Sequence, residues 1–135
     1  MKFDYKRFPN GIARPIIPIT VRNPRTKQSI RYLALVDSGA DSCIFASEIG
    51  ELIGLDITAG RVASVSGVVE GERRPYYVHQ VEVEIGGWSK ATMVGFMPDL
   101  SKNGHGLLGQ SGFFDRFSFV KFERPKGNIE VGSAL

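Results

Sequence analysis

Residues 32–45 read Tyr-Leu-Ala-Leu-Val-Asp-Ser-Gly-Ala-Asp-Ser-Cys-Ile-Phe. An apolar run ends at Asp37, a hydroxyl residue and a glycine follow, and a second apolar run begins at Cys43. As structure alone, this pattern predicts a buried strand, a tight turn and a second strand. Carboxylates are seldom buried unless they are paired or functional. The functional interpretation is that Asp37 is a catalytic acid presented from a rigid turn.

The whole chain fits one domain spanning residues 1–135. Its composition, 42% hydrophobic and 23% charged, allows a core and is not that of a disordered chain. No apolar run approaches the roughly 20 residues that a membrane helix needs. The N-terminal residues 1–7 are not followed by the apolar stretch of a signal peptide. We therefore expect no membrane contact and a cytoplasmic location.

A cysteine nucleophile, a metal site and a dinucleotide site are disfavoured, because the residues or elements that each would need are missing. Cys43 is the only cysteine and lies in an apolar run, so we expect a buried side chain and not a nucleophile. His79 and His105 are far apart and lack metal-ligand spacing, so we expect no metal and no other cofactor. Residues 104–109 form a GxGxxG string, but residues 98–103 before it do not read as the strand of a dinucleotide site.

The charge pattern does not favour a nucleic-acid partner. The net charge is only +3, and a basic cluster at positions 22, 25, 27 and 31 surrounds the turn formers Asn23-Pro24, which indicates a solvated hairpin end. A nucleic-acid-binding β-barrel would also need an aromatic stacking face. The phenylalanines instead lie largely in apolar runs and are predicted to be core residues, including Phe113, Phe114, Phe117, Phe119 and Phe122.

The remaining chain alternates short apolar runs with turn formers, which is typical of an all-β fold with one or two short helices. A short helix is predicted to begin after an N-cap at Ser47 and to end at Gly54, and a helical turn is expected within 111–116. Gly86-Gly87 predicts a hairpin turn. Strands are predicted at 13–21, 28–36, 42–46, 80–85, 88–96, 117–123 and 128–131, with a short buried step at 107–108.

Two motifs together resemble those of a known family. Asp37-Ser38-Gly39-Ala40 is followed about 70 residues later by the apolar-apolar-glycine step Leu107-Leu108-Gly109. This pair, in this order, resembles the retropepsin-like aspartic peptidases over residues 16–131, and residues 106–117 are closest to the cellular, prokaryote-type members. The resemblance implies a retropepsin-like acid-protease half-barrel and an aspartic endopeptidase acting on a peptide or protein substrate.

The chain carries one Asp-Ser-Gly motif, whereas an aspartic peptidase needs two carboxylates about 3 Å apart that share one proton. Asp41 is too near Asp37 in sequence to be the symmetric partner. The resemblance therefore implies that the second carboxylate is Asp37 of another copy. A homodimer with a two-fold axis would place the two side chains face to face.

Further roles follow only from the resemblance. Asp37 would be catalytic, with active-site support from Ser38 and Gly39. Substrate would be bound by residues beside the turn and in a glycine-bearing flap, namely Ala40, Asp41, Val65, Ser66, Gly67 and Val68. Three residues would pack beneath the catalytic turn, namely Leu107, Leu108 and Gly109.

One residue departs from the pattern of the viral members. They carry Arg after the apolar-apolar-glycine step, where it pairs with an acid near the catalytic turn, and this chain has Gln110. Asp41 is therefore expected to lack that partner. The alternative hypothesis is a non-catalytic module of the same fold that binds peptides or mediates dimerisation.

Overall fold

The computed structural model describes residues 1–66 and 73–135, and strands dominate these ranges. The helical elements are α1 (Ser47–Leu52) and 3₁₀ turns at Ile57–Ala59, Phe114–Arg116 and Arg124–Lys126. The strands are β1 (Lys2–Asp4), β2 (Lys6–Arg7), β3 (Ala13–Arg14), β4 (Ile16–Arg22), β5 (Ser29–Val36), β6 (Ile44–Ala46), β7 (Arg61–Ser66), β8 (Arg73–Ile85), β9 (Trp88–Met97), β10 (Gly106–Leu108), β11 (Val120–Glu123) and β12 (Asn128–Val131).

The main sheet has the strand order β4-β5-β10-β6-β9-β8-β7. Because β4 also pairs with β8, six of its strands form a closed ring and β7 extends it at one edge. Two pairings are parallel, β10 with β5 and β6 with β9, and the others in this sheet are antiparallel. The predicted all-β architecture is confirmed, including the turn at Gly86-Gly87, where both residues have positive φ.

A second sheet joins the two ends of the chain. Its order is β1-β12-β11, with Phe3 opposite Ile129 and Phe122 opposite Ile129 on the other side. Strands β2 and β3 form a separate hairpin. No local sequence pattern predicts β1 or β2, because both are very short and β1 depends on a partner at the far end of the chain.

The helix begins at Ser47, and its N-cap is therefore one residue earlier than predicted. Ala46 occupies the N-cap position without a side-chain hydrogen bond, and Ser47 is the first helical residue and is buried. The predicted Ser47 cap is therefore wrong. Ala46 still pairs with Met97 as the last residue of β6, so the strand runs directly into the helix. Gly54 has a φ of +87° just beyond the helix, as expected for a residue that stops it.

The core is one buried cluster that joins the main sheet, the helix and the smaller sheet. Phe45, Phe96 and Phe113 are fully buried, and each such side chain contributes about 1.5–3 kcal/mol through removal from water. Phe119 and Phe122 were expected in the core, but they are 48% and 40% exposed. Phe122 lies on β11, an edge strand of the smaller sheet, and Phe119 precedes that strand, so fewer elements cover them.

In the two described ranges, no helix has the length and apolar character needed to cross a bilayer.

Candidate active site

The Asp-Ser-Gly turn begins where two parallel strands end. Strands β5 and β10 pair with Leu108 opposite Val36, and the amide of Asp37 continues this pairing by donating to the carbonyl oxygen of Leu108 at 3.0 Å. Asp37 itself is half-buried, whereas Ser38 is exposed. The predicted strand at 28–36 therefore delivers the carboxylate to the end of the sheet.

A second set of backbone contacts holds the far side of the turn. Gln110 N donates to Ala40 O at 2.8 Å, and Ser111 N donates to Asp41 O at 2.9 Å. Gly109 lies so close that a Cβ there would meet the carbonyl oxygen of Ala40 at 2.7 Å and would clash with that of Ser42. Only glycine allows this approach, because both obstacles are backbone atoms that cannot move without the turn itself.

The Asp37 carboxylate is oriented from within the turn. Asp37 Oδ1 accepts a hydrogen bond from Gly39 N at 2.9 Å, and the backbone oxygen of Asp37 accepts one from Ala40 N at 3.2 Å. The Gln110 side chain donates through Nε2 to Ser38 O at 2.7 Å. Sequence analysis identifies Gln110 only as a departure from the pattern of the viral members, and it does not predict this contact with Ser38.

The turn opens onto a cleft of about 780 Å³. One wall is the turn and its continuation, with Asp37, Gly39, Ala40, Asp41 and Ser42. The other lining residues are mostly apolar, namely Ile44, Ser64, Tyr76, Met97, Leu100 and Leu107. The Asp41 side chain is exposed, and it forms no hydrogen bond or ion pair with any residue of the described ranges. The cleft therefore combines the Asp37 carboxylate with a mostly apolar lining.

The predicted flap is only partly within the described residues. Val65 and Ser66 lie on β7, opposite Arg74 and Arg73 of β8. Gly67 and Val68 lie outside the described residues. The strand that leads toward them passes the cleft at Ser64.

Tyr76, Met97 and Leu100 are among the cleft-lining residues that sequence reasoning did not find. They come from β8, from the end of β9 and from the loop that follows it. A Cβ at Gly95 would clash with the Tyr76 ring, so this glycine leaves the space that the ring occupies. No local pattern indicates which residue of the loop after β9 lines the cleft.

Cys43 is 1% exposed, as predicted, and its Sγ lies 3.7 Å from Ser111 O. Burial removes the thiol from water and raises the pKa of Cys43 to about 11, so the side chain is a neutral thiol and a poor nucleophile. Among the described residues, no three His, Cys, Asp or Glu side chains are grouped closely enough to hold a metal ion.

The geometry agrees with comparisons to known proteins. A family model described as aspartyl protease matches residues 18–111, which include both Asp37 and the Leu107–Gly109 step. A search of curated proteins finds no significant match.

Two solved structures are similar to this chain to different degrees. A retropepsin-like aspartic protease from Rickettsia conorii is 20% identical, with a TM-score of 0.66 over 97% of this chain and 89% of that one. The EIAV protease in complex with the inhibitor HBY-793 is 16% identical, with a TM-score of 0.49 over 72% of this chain and 82% of that one. The match to the Rickettsia conorii protease shows that the fold is the retropepsin-like all-β half-barrel that the sequence predicted. Because the family model covers well over half of the chain, the protein belongs to the aspartyl protease family.

Proposed function

We propose that this protein is an aspartic endopeptidase that works as a homodimer, with one Asp37 from each copy forming the catalytic pair. The observation that carries the proposal is the single Asp-Ser-Gly turn, held by β10 at the mouth of a largely apolar cleft. One chain supplies one such carboxylate, and the reaction needs two that share a proton. A two-fold dimer supplies the second without any further motif.

In this mechanism the ionised Asp37 takes a proton from a water molecule as the water oxygen attacks the carbonyl carbon of the peptide bond. The protonated Asp37 of the second copy donates its proton to the carbonyl oxygen. When the tetrahedral intermediate collapses, one of its hydroxyl groups gives its proton to the ionised carboxylate and becomes the carbonyl of the new acid. The carbon–nitrogen bond breaks, and the amine leaves with the proton of the other carboxylate, so the pair again holds one proton. The pair is then ready for a new water molecule, and neither a metal nor another cofactor is required.

The neighbours of Asp37 have supporting roles in this proposal. Ser38 braces the pair by hydrogen bonding across the dimer axis, and Gly39 lets the turn approach the water and the second copy. The backbone of the substrate lies along Ala40 and Asp41, with a flap from Val65 to Val68 closing over it. Leu107, Leu108 and Gly109 hold the turn from beneath. All of these residues belong to one domain, residues 1–135.

The apolar lining favours particular substrates. Tyr76, Met97 and Leu100 line the same cleft as Asp37 and offer hydrocarbon and ring surface. Removal of apolar substrate side chains from water would contribute about 0.8 kcal/mol per CH₂ group. We therefore expect cleavage of extended peptide segments with apolar residues beside the broken bond.

The direct test compares Asp37→Asn with Asp56→Asn on a mixture of unstructured peptides. Asp56 is an exposed aspartate outside the cleft, so its variant controls for the loss of one carboxylate. Wild type and Asp56→Asn should cleave with an optimum at acidic to mildly acidic pH, and Asp37→Asn should not cleave. Equal hydrolysis by Asp37→Asn would refute the catalytic assignment. Peptide binding without cleavage by the wild type would favour the non-catalytic module.

A further inference from the structure

One peptide group in the catalytic turn is held at both ends. The carbonyl oxygen of Ser38 and the N–H of Gly39 belong to the same planar peptide unit. The oxygen accepts from Gln110 Nε2 at 2.7 Å, and the N–H donates to Asp37 Oδ1 at 2.9 Å. In a trans peptide these two groups point in opposite directions, so a contact that orients one of them also orients the other.

We infer that Gln110 is a positioning residue for the catalytic carboxylate, acting through the peptide group between Ser38 and Gly39. This inference rests on the proposed function of Asp37. Gln110 fixes the plane of the peptide, and the peptide N–H fixes Oδ1. A hydrogen bond to the carbonyl also polarises the amide, which strengthens the hydrogen bond that its N–H donates.

The turn needs such a contact because little else restrains this peptide. Ser38 and Gly39 are both exposed in the single chain, so no other part of that chain packs over them. Glycine tolerates the backbone angles on either side of a peptide flip. A flipped peptide would turn its carbonyl oxygen toward Asp37 and withdraw the N–H, which would place two acceptors face to face.

Gln110 is well placed to prevent this flip. Its own backbone is tied to the turn through the 2.8 Å hydrogen bond to Ala40 O. The side chain therefore needs to cover only a short distance to Ser38. Because a carbonyl oxygen can only accept, the NH₂ end of the side-chain amide must face Ser38. Methionine has a similar length but no donor, and glutamate presents an acceptor wherever it is ionised.

The experiment uses Gln110→Met, Gln110→Glu and the control Gln80→Met, which changes an exposed glutamine on β8. Relative to wild type and the control, Gln110→Met should lower kcat/KM about 3- to 10-fold, the effect of losing about one hydrogen bond. KM should change little. The acidic limb of the pH profile should move to higher pH, because a carboxylate that loses a donor ionises less readily. For Gln110→Glu, the loss should grow as the pH rises and the glutamate ionises.

A second measurement does not depend on activity. In the NMR spectrum of the protein without substrate, the Gly39 amide proton should move upfield and exchange faster in Gln110→Met than in Gln80→Met. An unchanged Gly39 signal, together with a pH profile that superimposes on that of wild type, would overturn the inference even if thermal stability fell. If the wild type cleaves no peptide, the proposed function fails. The Gly39 signal still decides whether Gln110 controls this peptide group.

Discussion

The backbone amide of Asp37 donates a 3.0 Å hydrogen bond to the carbonyl oxygen of Leu108. This contact joins the two motifs that are far apart in the sequence, and it makes β10 the support of the Asp-Ser-Gly turn. The support continues through Gly109, which lies against the carbonyl oxygens of Ala40 and Ser42. The position of the carboxylate therefore depends on a strand whose residues do not themselves carry the chemistry.

The close approach at Gly109 predicts a large effect of a single methyl group. Gly109→Ala should lower the free energy of unfolding by about 1–3 kcal/mol, because the new Cβ would meet backbone oxygens of the turn. Peptide cleavage should fall further than this loss of stability explains. Gly104→Ala is the matched control, since its Cβ would meet only Ser101 O at 3.5 Å. Equal stability and activity of the two variants in urea titrations and cleavage assays would contradict this account of the turn.

The core and the smaller sheet should respond differently to the same substitution. Phe45 is fully buried between the Tyr32 and Phe96 rings, at centroid distances of 5.4 and 6.0 Å. Phe45→Ala should lower the free energy of unfolding by about 3–5 kcal/mol, as expected for a large cavity. Phe122→Ala, at a ring that is 40% exposed, should cost much less. Chemical denaturation of both variants checks this order, and a larger loss at Phe122 would contradict it.

The buried thiol gives a pH-dependent prediction. Because burial raises the pKa of Cys43 from an ordinary value of 9.0 to about 11, the thiol should react very slowly with alkylating reagents at pH 8 in the folded protein. Denaturation should restore rapid labelling. The same shift adds stability that is fully present below pH 9 and is lost as the pH rises toward about 11, since only the unfolded chain ionises readily there. Rapid labelling of the native protein would refute the buried, neutral state.

The apolar lining of the cleft gives a prediction about specificity. Leu100 lines the cleft from the loop that follows β9. Leu100→Ala should lower kcat/KM for peptides with large apolar residues beside the cleaved bond by about 10- to 200-fold, which corresponds to about 1–3 kcal/mol of apolar contact. Peptides with small residues there should be affected much less. A uniform loss for both peptide sets would indicate that Leu100 supports the loop and does not contact substrate.

Local patterns predicted much of this fold for physical reasons. Alternating apolar residues predicted the buried end of β8, and the two glycines at 86–87 predicted the hairpin to β9. Contacts between distant parts of the chain were less accessible. The pairing of β1 with β12 was missed, and so was the contact of Gln110 with Ser38, since neither leaves a periodic signal near the residues involved.

The same distinction applies to the candidate site. Asp37 could be singled out because a carboxylate at the end of an apolar strand is unusual. Tyr76 and Leu100 could not, because apolar residues are common and only the closed sheet brings these two to the cleft. Phe122 shows the opposite error, since its apolar run indicated core burial without revealing that its strand lies at an edge.

The central claim is that each active site needs Asp37 from two chains, and mixing the wild type with Asp37→Asn tests it most directly. The two proteins are unfolded together, refolded at fixed total concentration so that copies exchange freely, and assayed for peptide cleavage. If both carboxylates are required, activity follows the square of the wild-type fraction, so an equal mixture retains about one quarter of the activity. Activity that falls only in proportion to the wild-type fraction, to about one half, would show that a single chain carries a complete site and would contradict the account.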